Sequence, residues 1–191
     1  MSVNESVKSN ITLGILSKAF SSEIFWVLSF TFMTFLSAQV EVPVQPVPFT
    51  LQTMLVILAG AFLGAKNGAL SQIIYIFMGA IGLPVFAGFS SFASLLGPTG
   101  GYLLAFPLGA YVTGLVLEKR RSLVITWLAM ALGALVIIFT GASYLSLLFH
   151  RSFGNAFFVG ALIFSVWDII KISAAASIYF SISRKYSKLP L

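Results

Sequence analysis

Long apolar runs, separated by short polar or Gly/Pro-rich breaks, set the pattern of this chain. A helix that crosses a bilayer needs roughly 20 mostly apolar residues. The pattern predicts six such spans, over residues 11–40, 49–63, 69–85, 101–117, 123–148 and 156–182. The first is interrupted only by Lys18 and Glu23 and ends at VEVPVQPVP, where Pro43, Pro46 and Pro48 cannot continue a helix. The second, a short one, stops at GAKNG. The third, also short, breaks at GLPVFAGFSSFASLLGPTGG, a segment too rich in Gly and Pro for regular helix. EKRRS, HRSFGN and RKYSK close the last three. The expected fold is an all-α membrane protein, a six-transmembrane-helix bundle forming one domain over 1–191.

Composition supports this reading, because 59% of the residues are hydrophobic and only 8% charged, against about half and a quarter in ordinary soluble domains. An even number of spans returns the chain to its starting side. If the N-terminus, AKNG, EKRRS and the C-terminus share that side, it holds Lys8, Lys18, Lys66, Lys119, Arg120, Arg121, Arg184, Lys185 and Lys188, nine of the eleven Lys and Arg. The opposite loops hold Arg151 alone. Such asymmetry marks the cytoplasmic side, so both termini are expected there, in a multi-pass protein of the cell membrane. The net charge of +6 is then an orientation signal within a lipid bilayer, and no nucleic acid is needed to explain it. The polar head 1–10 and the long run after it argue against a cleaved signal peptide. The small residues shared by LAGAFLGAKNGA and MGAIGLPVFAG fit close helix packing rather than an internal repeat.

In this topology VEVPVQPVPFT and FAGFSSFASLLGP face outward, stiffened by proline yet strongly apolar. Two readings stand: a lid over an outward-facing cavity, or anchors lying in the interfacial layer. Deep in the last span, SVWDIIKIS places Asp168 and Lys171 three residues apart on one helix face. At 1.5 Å per residue from Ala156 they lie roughly 18 and 22 Å along the span. Ionisable groups at that depth mark substrate paths, relays or buried pairs. Either the two hold a ligand, or they neutralise each other and lock the helix. As ligand groups, Lys171 would suit a carboxylate and Asp168 an N–H. Gln52, Gln72, Tyr75, Ser91, Thr99 and Tyr102 are further polar candidates, with Gln72 and Tyr75 on one face. Each also has a structural reading, Tyr75 as an interfacial ring and Gln72 as a cross-helix bond.

Catalysis finds little support. Asp168 is the one Asp, so the paired carboxylates of an intramembrane aspartyl protease are missing. His150 reads as a surface residue, and no G-x-S-x-G surrounds a serine. There is no Walker A motif, and no cysteine for disulfides or thiolate metal sites. No cofactor or metal is expected.

The ordered set VPVQPVPFTLQTMLVILAGAFLGAKNGAL, YIFMGAIGLPVFAGF, LLGPTGGYLLAFPLGAY and WDIIK resembles the BioY family, the biotin-specific substrate-binding (S) components of energy-coupling factor transporters. The resemblance covers roughly residues 42–182. It implies six helices, cytoplasmic termini, and a biotin pocket near the outer face closed by the loops. The partners it implies are a transmembrane coupling protein and two ABC-type ATPases. Carried over position by position, the family's polar contacts fall on Asp168 and Lys171, and its lid and pocket motifs on Gln52, Tyr75, Phe86, Thr99 and Tyr102. Its docking through small residues of the first helix falls on Thr34 and Ala38. VPFTLQT in place of VPVTLQT, Gln45, and SSFAS where glycine is more usual are departures that bear on the lid. Other classes consistent with the residues are an ion-coupled secondary transporter with Asp168 as relay, and a ligand-free structural subunit.

Overall fold

The structure, a computed structural model, describes residues 22–119, 122–149 and 163–185. Residues 11–21 of the first predicted span, residues 156–162 of the sixth, the HRSFGN loop with His150 and Arg151, and the terminal residues 186–191 lie outside the described residues. The elements in chain order are α1 (Glu23–Ala38), a short hairpin of β1 (Glu41–Val42) and β2 (Phe49–Thr50), and α2 (Gln52–Ala80). A 3-10 turn (Ala87–Phe89) and the five-residue α3 (Phe92–Leu96) follow. The long α4 (Gly100–Lys119), α5 (Leu123–Leu148) and α6 (Ile163–Lys185) complete the bundle.

α2 is not one rod. Gly64 has φ 76 and ψ −179, and there the chain doubles back. A Cβ on Gly68 would lie 2.7 Å from the Cα of Gly60, and Gln52 Nε2 reaches Tyr75 Oη at 2.6 Å. The limbs 52–63 and 65–80 therefore run side by side as a helical hairpin. Only glycine takes this backbone conformation without steric cost. The second limb restarts with its first free N–H satisfied from another element, since Ala65 N donates to Glu118 Oε1 of α4 at 2.7 Å. The two short apolar stretches 49–63 and 69–85 fall on these limbs.

The hairpin is the hub. It packs most extensively against α4, which in turn packs on α5, while α1 covers another side of the hairpin and α6 closes against α5 and α2. The core divides into two layers. One, around Phe62, Leu117, Met130 and Tyr179, lies at the end carrying the Gly64 turn and Lys119. The other, around Val56, Tyr75, Phe86, Tyr102 and Ile137, lies beneath the loops 43–50 and 85–99.

The outer surface is apolar. On α5 the side chains of Val124, Leu128, Leu132, Leu135 and Phe139 are exposed, and on α6 those of Val166, Trp167, Ile169 and Ile170. Among the described residues, four helices are long and apolar enough to cross a bilayer. An apolar exterior around buried Gln, Thr, Asp and Lys is the arrangement a lipid solvent demands. The protein is a multi-pass membrane protein.

One sequence expectation is corrected. Thr34 and Ala38, read as a docking face for a partner, are wholly buried. Thr34 Oγ1 accepts from Gln72 Nε2 at 3.2 Å, and Thr31 Oγ1 donates to Ser71 O at 2.8 Å. Small and polar residues of α1 face the hairpin because they allow close approach and bond across it. The face of α1 left exposed carries Ile24, Leu28, Phe32 and Leu36.

Candidate functional site

A cavity of about 350 Å³ lies beneath the loops, at the small end of the roughly 300–1,000 Å³ typical of small-molecule sites. Its walls come from five parts of the chain. The first loop gives Val47, Pro48 and Thr50, and the start of the hairpin gives Gln52 and Thr53. The second loop gives Phe86, Ala87, Ser94 and Thr99, and α4 gives Tyr102, Leu103 and Phe106. α6 contributes Lys171. Both apolar loops thus turn inward as cavity wall.

Lys171 is the charged group in this lining, and its three ammonium protons have defined partners. Nζ meets Asp168 Oδ1 at 2.6 Å, donates to Thr53 Oγ1 at 2.6 Å, and approaches Thr50 O at 3.5 Å. The last distance is at the limit of a hydrogen bond, so this third proton is the one an acceptor in the cavity can claim. The Thr53 hydroxyl must accept from the ammonium, which has no lone pair, and its own proton remains to be donated. Asp168 does not line this cavity. It lies in the wall of a larger apolar groove between α4, α5 and α6, with Leu108, Leu132, Leu135 and Ile169. Its Oδ2 has no hydrogen-bond partner among the described residues. The charge on Lys171 is therefore already compensated, which alters the expectation that it serves as counter-ion to a ligand carboxylate.

A second chain of hydrogen bonds fixes the floor. Thr50 Oγ1 donates to Gln52 Oε1 at 3.0 Å, Gln52 Nε2 donates to Tyr75 Oη at 2.6 Å, and Tyr75 Oη donates to Val85 O at 2.9 Å. Each donor finds an acceptor, so the amide of Gln52 has one orientation. Tyr75 is fully buried, which excludes its reading as an interfacial ring, and it supports the wall without lining it. Its ring meets that of Phe86 edge to face at a centroid distance of 5.3 Å. Phe86 packs against Gly79, where any side chain would overlap its ring.

Of the residues named from sequence, the structure brings Lys171, Gln52, Phe86, Thr99 and Tyr102 to one cavity, with Asp168 and Tyr75 directly behind it. Thr99 Oγ1 donates to Ser94 O at 2.9 Å and so braces the second loop. Gln72 bonds across to α1 and takes no part. Ser91 precedes α3 and does not line the cavity. Sequence reasoning missed Thr53, though it ends the PFTLQT motif, and a lysine at depth needs an acceptor nearby. It also missed Gln39, whose side chain holds the second loop through Phe86 O at 3.1 Å and Phe89 N at 3.2 Å. No local pattern signals that contact.

Comparison with known proteins gives a consistent answer. The BioY family model matches residues 7–188. A protein of Pyrococcus horikoshii named as a probable biotin transporter BioY is 44% identical over 159 residues, 83% of this chain and 94% of its own length. The biotin transporter BioY of Thermotoga maritima is 41% identical over 150 residues, 78% of this chain and 88% of its own. Among solved structures, the S-component for biotin from an ECF-type ABC transporter superposes with a TM-score of 0.80 at 26% identity, covering 96% of this chain and 95% of that one. This chain belongs to the BioY family.

Proposed function

We propose that this chain takes up biotin across the cytoplasmic membrane as the substrate-binding component of an energy-coupling factor transporter. The observation that carries the reading is the cavity itself, with apolar walls from two inward-turned loops and a polar cluster of Lys171, Thr53 and Gln52 at its base. Biotin is a small amphiphile with a ureido ring of N–H and C=O groups, an apolar thioether ring, and a carboxylate on an aliphatic arm. Its ring and arm suit the walls, and its acceptor oxygens suit the donors at the base. The names of the relatives and of the superposed S-component support the same ligand.

In this reading the loops 43–50 and 85–99 face outward and act as the lid, while Lys66, Lys119 and both termini lie in the cytoplasm, following the charge asymmetry. Lys171, Gln52, Phe86, Thr99 and Tyr102 shape the binding site, and Asp168 and Tyr75 brace it from behind. Transport itself requires energy from partners, a transmembrane coupling protein and two ABC-type ATPases, because the chain has no nucleotide-binding motif. A free proton relay at Asp168 is disfavoured by its 2.6 Å contact with Lys171.

The test is thermal melting of the purified protein with a panel of vitamins. Biotin at 100 times its dissociation constant adds about 2.7 kcal/mol of stability, visible as a raised melting temperature. Stabilisation by another vitamin and not by biotin would overturn the assignment.

A further inference from the structure

We propose that Gln39 is a positioning residue for ligand retention. Its side-chain amide ties the end of α1 to the loop 85–90, so that this loop and the hairpin 41–50 stay closed over the cavity as one unit. The inference rests on the reading of the cavity as a biotin site.

Gln39 caps α1, its backbone N–H bonding Leu36 O at 3.2 Å. Its half-buried side chain then crosses to the second loop. Nε2 donates to Phe86 O at 3.1 Å, with Val85 O at 3.5 Å and Phe35 O at 3.4 Å close by. Oε1 accepts from Phe89 N at 3.2 Å. The loop pairs some of its own backbone, Phe86 N with Ser90 O at 3.0 Å and Ser90 N with Ala87 O at 3.3 Å. Gln39 serves Phe86 C=O and Phe89 N–H, with one donor and one acceptor, as a neighbouring strand would. Near a bilayer such backbone groups need protein partners.

The segment it grips holds one strained residue. Gly88 takes φ 63 as glycine readily does, but Phe89, which is not glycine, has φ 54. A bulky residue keeps a left-handed backbone only when its surroundings over-determine it. The bond from Phe89 N–H to Gln39 is one such determinant. Without it the loop has reason to relax.

Gln39 also stands at the root of the other loop. The next residue, Val40, accepts from Leu51 N at 3.3 Å, and β1 pairs with β2 as Glu41 with Thr50 and Val42 with Phe49. That hairpin presents Val47, Pro48 and Thr50 to the cavity, and the gripped loop presents Phe86 and Ala87. Two walls contributed by separate parts of the chain therefore converge on one side chain. When it lets go, both walls loosen and the ligand leaves sooner.

Gln39→Met and Gln39→Glu keep the shape of the side chain while removing both bonds or the donor alone, so a packing role survives them and a latch does not. Amide hydrogen exchange of the ligand-free purified protein is measured first. Exchange is expected to rise in segments 85–91 and 40–51 in both variants and to stay unchanged in α4 and α5. Biotin dissociation is expected to become about tenfold faster, the effect of losing one to two net hydrogen bonds, with association no slower. Unchanged exchange in both loops overturns the latch, as does a uniform rise across the bundle with a lowered melting temperature. Loosened loops with unchanged biotin dissociation overturn the role in retention. If the wild type binds no biotin, the ligand assignment falls, and the exchange measurement still decides whether Gln39 couples the loops.

Discussion

Lys171 and Asp168 keep 8% and 7% of their side-chain surface exposed and meet at 2.6 Å. Replacing Lys171 by Met leaves Asp168, whose Oδ2 already lacks a partner among the described residues, as an uncompensated charge. Breaking a buried pair from one side costs about 3–5 kcal/mol. Replacing both at once, Asp168→Leu with Lys171→Met, removes the two charges together, and such apolar replacements of a buried pair are often neutral or stabilising. Ligand binding follows a different order. A hydrogen bond from a charged donor is worth about 1.5–3 kcal/mol, so the double variant should bind biotin roughly 10- to 100-fold more weakly. The expected pattern is a single variant that melts far below the wild type, and a double variant that melts near it yet holds biotin poorly. Thermal melting in detergent and titration calorimetry with biotin read the two quantities separately. A double variant with wild-type affinity would show that the pair only scaffolds α6. A Lys171→Met protein as stable as the wild type would refute the argument from burial.

Three further substitutions probe the surrounding structure. Gly64→Val puts a β-branched residue at φ 76 and its Cβ 2.9 Å from Glu118 Oε1; a cost of about 1–3 kcal/mol from the backbone alone should appear as a lowered melting temperature without any change at the cavity. Tyr75→Phe keeps the ring contact with Phe86 but strips Gln52 Nε2 of its acceptor, and leaving that buried group unpaired costs about 1–3 kcal/mol. Melting should report that loss, and biotin titration a weaker affinity, because Gln52 is free to turn. Thr53→Val removes the hydroxyl that accepts from Lys171 at 2.6 Å and has its own proton left for a ligand, so biotin should bind about tenfold more weakly for the loss of that one hydrogen bond, and Thr53→Ser should restore binding.

How much of this was legible in the sequence depends on the range of the interaction involved. α5 runs from Leu123 to Leu148, the bounds of its apolar run, because both signals are local. Ser122 caps it by accepting from Ile125 N at 3.2 Å, and the apolar residues continue without a break. The hairpin was harder. GAKNG marks a break, but the chain turns at Gly64 and is helical again through Lys66 and Asn67. What permits so abrupt a restart is Glu118, fifty-three residues away, accepting from Ala65 N, and no local pattern encodes it. Thr34 and Ala38 failed for a different reason. In water a helix shows its buried face by hydrophobicity, but in lipid the large apolar residues point outward and the small and polar ones inward. A stripe of small residues on a membrane helix therefore marks an interface without saying whose, and here it belongs to the protein's own hairpin.

The same long-range logic sets what the site can recognise. Asp168 and Lys171 were readable as a same-face pair from their spacing, but not that the pair would straddle a wall, with Lys171 toward the cavity and Asp168 toward the groove beside it. That placement leaves one weakly engaged ammonium proton for a ligand, next to a carboxylate that already balances the charge. An incoming anion would find no net positive charge to meet, whereas a neutral acceptor oxygen can take this weakly engaged proton at little cost in desolvation. Discrimination at the base of the cavity must then come from direction rather than charge. The direction is supplied by groups whose orientation is fixed in turn by Thr53, by Gln52 and Tyr75, and by the two loops that close over them.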